Sequence, residues 1–151
     1  LANDALGRIL LMESAADAEP VLKAFARALL WQRQERPEEA AGHWQAVREY
    51  GSPDLRQRAL LAEAGYYLAS DPGRALALYE ELVRDFPAGD HVVEAHVACA
   101  RLYESGGRAR AALKAYETAL LAFPNHVHAA TIRLQVDRLR RTNEADAGGR
   151  G

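Results

Sequence analysis

Histidine and cysteine are the residue types in this chain whose chemistry could support metal binding or catalysis. The sequence contains five histidines and one cysteine. A zinc site needs several ligands at short, regular spacing, such as two histidines one turn apart on a helix. His126 and His128 are two residues apart, so on a helix their side chains would point about 200° away from each other. We therefore predict no metal site and no cofactor.

The single cysteine and a glycine pair are the other candidates for chemistry. Cys99 falls on an apolar helical stripe with no nearby charged group that would lower the pKa of its thiol, so we expect a buried, unreactive side chain. Gly106-Gly107 lacks the Gly-Lys-Ser/Thr ending of a phosphate-binding loop and follows no predicted strand, which indicates a turn between helices. Because no set of titrating groups converges on a pocket, we predict no catalytic residues and no enzyme activity.

The composition excludes two classes of partner. Of the 151 residues, 49% are hydrophobic and 26% are charged, and the formal net charge is −2. A nucleic-acid-binding protein normally carries a clustered basic excess, and no apolar stretch here is long enough to cross a bilayer. We therefore expect no nucleic-acid partner and no direct membrane insertion. The chain begins at Leu1, as a fragment or a processed form would, so the sequence leaves a cytoplasmic and a periplasmic location equally open.

Residues that end helices divide the chain at regular intervals. Proline and glycine, which disfavour helix interiors, cluster at 51–53, 71–73, 87–90, 106–107 and 124–125. The segments between them predict helices over 3–15, 19–34, 37–50, 54–70, 72–86, 91–105, 108–123 and 126–141. Asp71 and Asn125 are predicted N-caps of the helices that follow them. Strand-type alternation is absent, so the predicted fold class is all-α.

A pattern of small, aromatic and proline residues recurs along the chain. One copy is Ala112, Tyr116, Ala119, Phe123 and Pro124; a second is Ala75, Tyr79, Leu82, Phe86 and Pro87; a looser third is Ala40, Trp44, Val47 and Tyr50. The first alanines of the copies are 35 (75 − 40) and 37 (112 − 75) residues apart. A period in the mid-thirties is typical of helix pairs stacked into a solenoid, in which each pair contacts its neighbours.

This pattern resembles the tetratricopeptide repeat (TPR) family, a helix-turn-helix of about 34 residues. In the copy that fits best, the family's small, aromatic and closing positions are held by Ala100, Tyr103, Ala112, Tyr116, Ala119 and Pro124, while His96 stands in place of the family's Trp and Cys99 in place of Leu. The resemblance implies an all-α, right-handed superhelical array of antiparallel helix pairs, a TPR-like α-solenoid. It also implies that His96 packs rather than binds a ligand.

The resemblance divides the chain into about three repeats with flanking helices. It implies a leading helix over 1–20 that ends a further repeat, repeats over 21–54, 55–92 (with an extended linker) and 93–125, a capping helix over 126–141 and a flexible tail over 142–151. In the second repeat, Tyr67 with Ala64 fits better than Tyr66 with Glu63. The run from Phe86 to Ala95 is similar to bacterial repeat proteins of the cell envelope.

The family binds partners on its concave face, which is lined by the first helix of each pair. Its inner positions correspond here to Phe25, Leu29, Gln32, Arg33, Leu61, Leu68, Val97, Arg101 and Glu104. Phe25 and Leu29 could instead be covered by the leading helix. Because these two side chains cannot donate hydrogen bonds to a carboxylate, the clamp of the chaperone-binding members is not expected here.

The sequence thus predicts a non-catalytic module that binds a protein, either an extended peptide or a partner helix, in a groove. The alternative is a structural or oligomerisation segment of a larger assembly protein, such as one of the cell envelope. Such a segment joins a longer array or self-associates through its leading helix.

Overall fold

The computed structural model of the protein describes the backbone of residues 19–148 and the side chains of residues 19–143. Over this range the protein forms seven helices and no strand. The helices are α1 (Glu19–Arg33), α2 (Pro37–Tyr50), α3 (Pro53–Tyr67), α4 (Pro72–Asp85), α5 (Val92–Ser105), α6 (Ala109–Ala122) and α7 (Ala129–Gly148). The all-α prediction is confirmed for this part of the chain, and the helix predicted over 3–15 lies outside it.

The helix boundaries follow the residues that the sequence offers as starts and stops. Helices α2, α3 and α4 each begin with a proline, which lacks an N–H that would be unsatisfied there. Ser52 caps α3, because its Oγ accepts a hydrogen bond from the Leu55 N–H at 3.3 Å. After α2, the Gly51 N–H donates to the Val47 carbonyl at 2.9 Å. A Cβ at Gly51 would lie 2.6 Å from that oxygen, so this turn requires glycine.

Three boundaries differ from the prediction by three residues or more, and the others by at most one residue. Helix α3 ends at Tyr67 rather than at residue 70, with three turn residues before Asp71. Helix α7 begins at Ala129 rather than at residue 126, because Pro124 is followed by turns in which the His126 N–H donates to the Phe123 carbonyl. Asn125 is therefore not its N-cap. The same helix continues to Gly148, over most of the segment predicted as a flexible tail.

The chain divides into two compact units, residues 1–71 and residues 72–151. In unit 1, α1 packs on α2, α2 packs on α3, and α1 also contacts α3. The core of unit 1 is centred on Trp44, whose ring meets the edge of Phe25 with ring centroids 5.4 Å apart. Val47 and Leu55 are fully buried beside them. Glu63 is buried as well and forms an ion pair with Arg48.

In unit 2, each helix from α4 to α7 packs on the next. Small buried residues of α5 and α6, such as Ala100 and Ala112, lie in the core together with the rings of Tyr79 and Tyr116. Helix α7 buries one apolar face on this core. Packing of consecutive helices is thus observed within each unit. The boundary between the units falls between Asp71 and Pro72, inside the segment predicted as repeat 2 (55–92).

Candidate functional site

Four of the predicted partner-binding residues lie on one side of α1. Phe25, Leu29 and Gln32 fall within about 60° of each other around the helix axis, because they are four and then three residues apart. Phe25 is only 4% exposed, since its ring packs against Trp44. It therefore contributes to the core of unit 1 rather than to an open surface. Leu29 and Gln32 are half-buried and Arg33 is exposed.

Two further predicted residues belong to α3 and to its C-terminal end. Leu61 is half-buried, and Leu68, at the C-cap of α3, is 43% exposed. Leu68 keeps helical dihedral angles (φ −50°, ψ −40°), so it stays on the same side of the helix as Leu61, seven residues earlier. Because α1 contacts α3, the predicted stripes of these helices lie on neighbouring elements of unit 1.

The other three predicted residues form a stripe on α5 in unit 2. Val97, Arg101 and Glu104 repeat the spacing of Phe25, Leu29 and Gln32 on α1, so they also fall within about 60°. Val97 and Glu104 are half-buried and Arg101 is exposed.

Glu104 has partners inside the protein. Its Oε1 accepts a hydrogen bond from the Tyr116 hydroxyl of α6 at 3.1 Å, and its Oε2 pairs with the Arg138 guanidinium of α7. Burial, together with the hydrogen bond to Glu104, raises the pKa of Tyr116, while the Arg101 charge opposes this shift. Glu104 therefore joins α5, α6 and α7, and Arg101 is the exposed charge of this stripe.

A second feature of unit 2 is a cavity of about 300 Å³ between α4, α5 and α6. Its lining includes His96, Cys99 and Tyr103 of α5. On a helix these residues lie about 100° to 160° around the axis from Val97. The cavity thus opens on a different side of α5 from the predicted stripe.

Burial disfavours the charged forms of two titratable groups that line the cavity, His96 and Cys99. Burial lowers the pKa of the His96 imidazole, which is 9% exposed. Burial, reinforced by the Glu80 charge, raises the pKa of the Cys99 thiol to about 12. A thiol with such a pKa carries almost no thiolate at neutral pH, which agrees with the predicted unreactive cysteine. His96 packs in the core, as the sequence indicated.

Tyr103 forms one wall of the cavity. Its hydroxyl donates a hydrogen bond to Glu80, and the Arg108 guanidinium lies 4.5 Å from the centre of its ring. Burial and the hydrogen bond to Glu80 raise the pKa of Tyr103 to about 12. This wall is fixed by contacts from two sides, since α4 supplies Glu80 and the turn before α6 supplies Arg108.

Sequence reasoning did not find the cavity. One sequence feature could have indicated it: Ala111 and Ala115 are small residues one turn apart on α6. They line the cavity together with His96 and Tyr103 of α5. Ala112 is fully buried, whereas Ala111 and Ala115 line the cavity.

The histidine pair has a different geometry from the one assumed. His126 and His128 precede α7 instead of lying on a helix, and their ring centroids are 5.3 Å apart. The His126 Nδ1 accepts a hydrogen bond from the His128 N–H at 3.2 Å. The argument from opposed helix faces is therefore wrong for this pair. Among residues 19–143 no group of three or more His, Cys, Asp or Glu side chains is arranged to hold a metal ion.

None of the helices from α1 to α7 is both long enough and apolar enough to cross a membrane. Comparison of the chain with protein-family models gives no match, and comparison with curated protein sequences gives none either.

Proposed function

We propose that this chain is a helical-repeat module of the TPR type, a right-handed stack of helix pairs, which binds a segment of another protein without catalysing a reaction. The contact surfaces are two stripes, one in each unit. The stripe of unit 1 consists of Leu29, Gln32 and Arg33 of α1, Leu61 of α3 and Leu68 at the C-terminal end of α3, and the stripe of unit 2 consists of Val97 and Arg101 of α5.

The observation that carries this proposal is the equal spacing of the outward side chains on α1 and α5. Each helix presents residues at i, i+4 and i+7 that are not closed off by the core, apart from Phe25. Each helix also carries an exposed arginine in or beside this stripe. Arg33 directly follows Gln32 on α1, and Arg101 is the i+4 residue on α5. Half-buried apolar side chains beside exposed charges suit an amphipathic or extended peptide, because the apolar contacts supply affinity and the charges set orientation.

The pairing of helices supports the repeat interpretation. The most extensive contacts in unit 1 are between α1 and α2, and those in unit 2 are between α5 and α6. These are the two helix pairs assigned to repeats 1 and 3. At equivalent positions of their second helices, Ala40 and Trp44 in α2 and Ala112 and Tyr116 in α6 are buried.

A second candidate function, self-association, is favoured by a separate observation. Leu121, Val127 and Leu134 are 84%, 82% and 68% exposed in unit 2. Large apolar side chains this open are candidates for an interface, as in a structural segment of a larger assembly. Light scattering over a hundredfold range of concentration tests this: a constant monomer mass rejects self-association, and a mass that rises with concentration and is restored by Leu121→Glu supports it.

Charge reversal tests the partner-binding proposal. The double variant Arg33→Glu with Arg101→Glu is expected to abolish capture of the partner from a lysate of the source organism, read by mass spectrometry. The matched control is Arg27→Glu with Arg110→Glu, which changes the net charge equally at exposed positions. Arg27 lies on α1 about 160° from Leu29. Equal capture by the double variant and the wild-type protein would reject the assigned surface.

A further inference from the structure

The cavity of unit 2 has an apolar centre. Val83 of α4, Cys99 of α5, and Ala111 and Ala115 of α6 contribute to its lining. Its volume is about 300 Å³, and a cavity of about 150 Å³ is already large enough to hold a ring the size of benzene. The cavity therefore has room for a large apolar side chain.

Two charges of opposite sign lie at the accessible edge of this cavity. Glu80 of α4 and Lys114 of α6 line it and are both exposed. Glu80 keeps its negative charge when it accepts the hydrogen bond of the neutral Tyr103 hydroxyl, and neither charge forms an ion pair with a side chain of residues 19–143. The exposed Leu121 lies on the same side of α6 as Lys114, because it is seven residues later. An apolar centre with a polar edge is the usual composition of a protein interface.

Helix α7 has an open face opposite the one that it buries. Ala130, Leu134, Asp137 and Arg141 fall within about 60° of each other around the helix axis, and all four are exposed. Ile132, which is buried on the core, lies about 160° away from Leu134. Leu134 is therefore a large apolar side chain that points away from the core of its own unit.

The charges of this open face match those at the edge of the cavity. Asp137 and Arg141 follow Leu134 by three and seven residues, and neither forms an ion pair within the described side chains. One acidic and one basic group thus accompany Leu134, just as one acidic and one basic group accompany the cavity. Ion pairs at an exposed edge add little affinity, but they set the orientation of two surfaces that meet.

We propose that the open face of α7 in one copy of the protein docks in the cavity of a second copy. Leu134 enters the apolar centre of the cavity. Asp137 then lies beside Lys114 of the second copy, and Arg141 lies beside its Glu80. The contact joins two different surfaces, so it is heterologous. This inference rests on the self-association considered above as the second candidate function, for which it names both surfaces.

Sedimentation equilibrium over a hundredfold range of concentration, up to about 1 mM, tests the contact. We expect the mass of the wild-type protein to rise with a dissociation constant on the order of 100 µM, as is typical of a small interface. Leu134→Glu removes the inserted side chain and Ala111→Leu fills the cavity, so each should weaken association at least about tenfold. The matched controls are Leu30→Glu and Ala69→Leu, at exposed positions of unit 1. They should associate as the wild type does, and all four variants should keep the wild-type circular dichroism spectrum.

Mixing the two variants distinguishes this contact from a symmetric one. Leu134→Glu keeps an intact cavity, and Ala111→Leu keeps an intact α7 face. An equimolar mixture should therefore form a one-to-one complex of wild-type affinity that grows no further. A contact between two α7 faces predicts the opposite, because Ala111→Leu would then associate by itself and the mixture would add nothing.

A charge exchange tests the orientation. Asp137→Lys places two like charges together at the contact and should weaken association about threefold to tenfold. Adding Lys114→Asp to the same chain restores opposite charges and should recover most of the loss. A double variant that associates more weakly than Asp137→Lys alone would contradict the pairing of these two residues.

The outcomes separate this inference from the function on which it rests. A constant monomer mass of the wild-type protein up to about 1 mM would reject self-association and this contact together. A wild-type mass that rises, with an equal rise for Ala111→Leu or Leu134→Glu, would support self-association and reject this contact. A mixture of these two variants that stays monomeric, while the wild type associates, would reject it as well.

Discussion

The two units close their cores in different ways. In unit 1 the gap beside the small residues of the first helix pair is filled by two large rings, Phe25 and Trp44, in edge-to-face contact. In unit 2 the second helix of the equivalent pair carries Tyr116 where unit 1 has Trp44. In this unit a cavity of about 300 Å³ remains open between α4, α5 and α6. The same pattern of small and aromatic residues thus gives one filled core and one unit that keeps an open cavity.

The units also differ in how fully the polar atoms of their large side chains are hydrogen-bonded, and here unit 2 is the more complete of the two. In unit 1 the indole Nε1 of Trp44 and the amide Nε2 of Gln32 are buried without a hydrogen-bond partner among the described residues. In unit 2 the hydroxyls of Tyr103 and Tyr116 donate to Glu80 and Glu104. A ring that carries a polar atom stabilises a core most when that atom is paired. The large rings of unit 1 therefore stabilise it through the apolar area that they bury, and the tyrosines of unit 2 also stabilise it through their hydrogen bonds.

The largest effect predicted by this comparison is in unit 1. Trp44→Ala should lower the free energy of unfolding by about 3–5 kcal/mol, because it removes a ring that is only 1% exposed and leaves a cavity beside Phe25. Urea unfolding followed by circular dichroism measures this change. Tyr50→Ala, at the 68% exposed end of the same helix, is the control and should change it by less than about 0.5 kcal/mol. Equal losses in the two variants would contradict the assigned core.

A smaller effect distinguishes the packed and open parts of unit 2. Ala112→Leu should cost about 1–3 kcal/mol, because Ala112 is fully buried where α6 packs on α5. Ala111→Leu, one residue earlier, points into the cavity and should cost less than about 1 kcal/mol. The same unfolding assay compares them. If Ala111→Leu were the more destabilising change, the cavity would not be open in solution.

The smallest effect is a dependence of stability on pH that comes from unit 2. Burial lowers the pKa of His96 in the folded protein below its ordinary value of 6.5, so the unfolded chain binds the proton more readily. The contribution of His96 to stability is therefore fully present above about pH 6.5 and is lost as the pH falls below it.

Melting temperatures at pH 7.5 and pH 5.0 test this sign. Wild-type protein should lose more stability on acidification than His96→Leu, which cannot be protonated there. The exposed His128→Gln variant should behave as the wild type does. A wild-type protein and a His96→Leu variant with the same pH dependence would show that the imidazole is not buried in solution.

The helices could be predicted because their ends carry local signals. Pro37 and Gly51 bracket α2, and the structure places its limits where these residues predict them. The errors occur where such signals are weak. Leu68, Ala69 and Ser70 contain no helix-breaking residue, and the prediction therefore extended α3 over them.

The site could be predicted only in part, because burial depends on contacts between distant residues. Periodicity places Leu29, Gln32, Val97 and Arg101 on their helix faces. It does not indicate that Phe25 packs on Trp44, or that Glu104 pairs with Arg138, 34 residues later. The cavity depends on the separation of α4 and α6, which the residue pattern does not specify.

Site-specific photocrosslinking tests the proposed binding surface most directly. A photoreactive phenylalanine derivative is placed singly at Leu29, Leu61 or Val97, and at the 84% exposed Leu121 as a control, in the cell of origin. The account predicts covalent adducts with one common protein from the first three positions and none with that protein from Leu121. An adduct from Leu121 alone, or none from the three stripe positions while the wild-type protein still captures its partner, would contradict it.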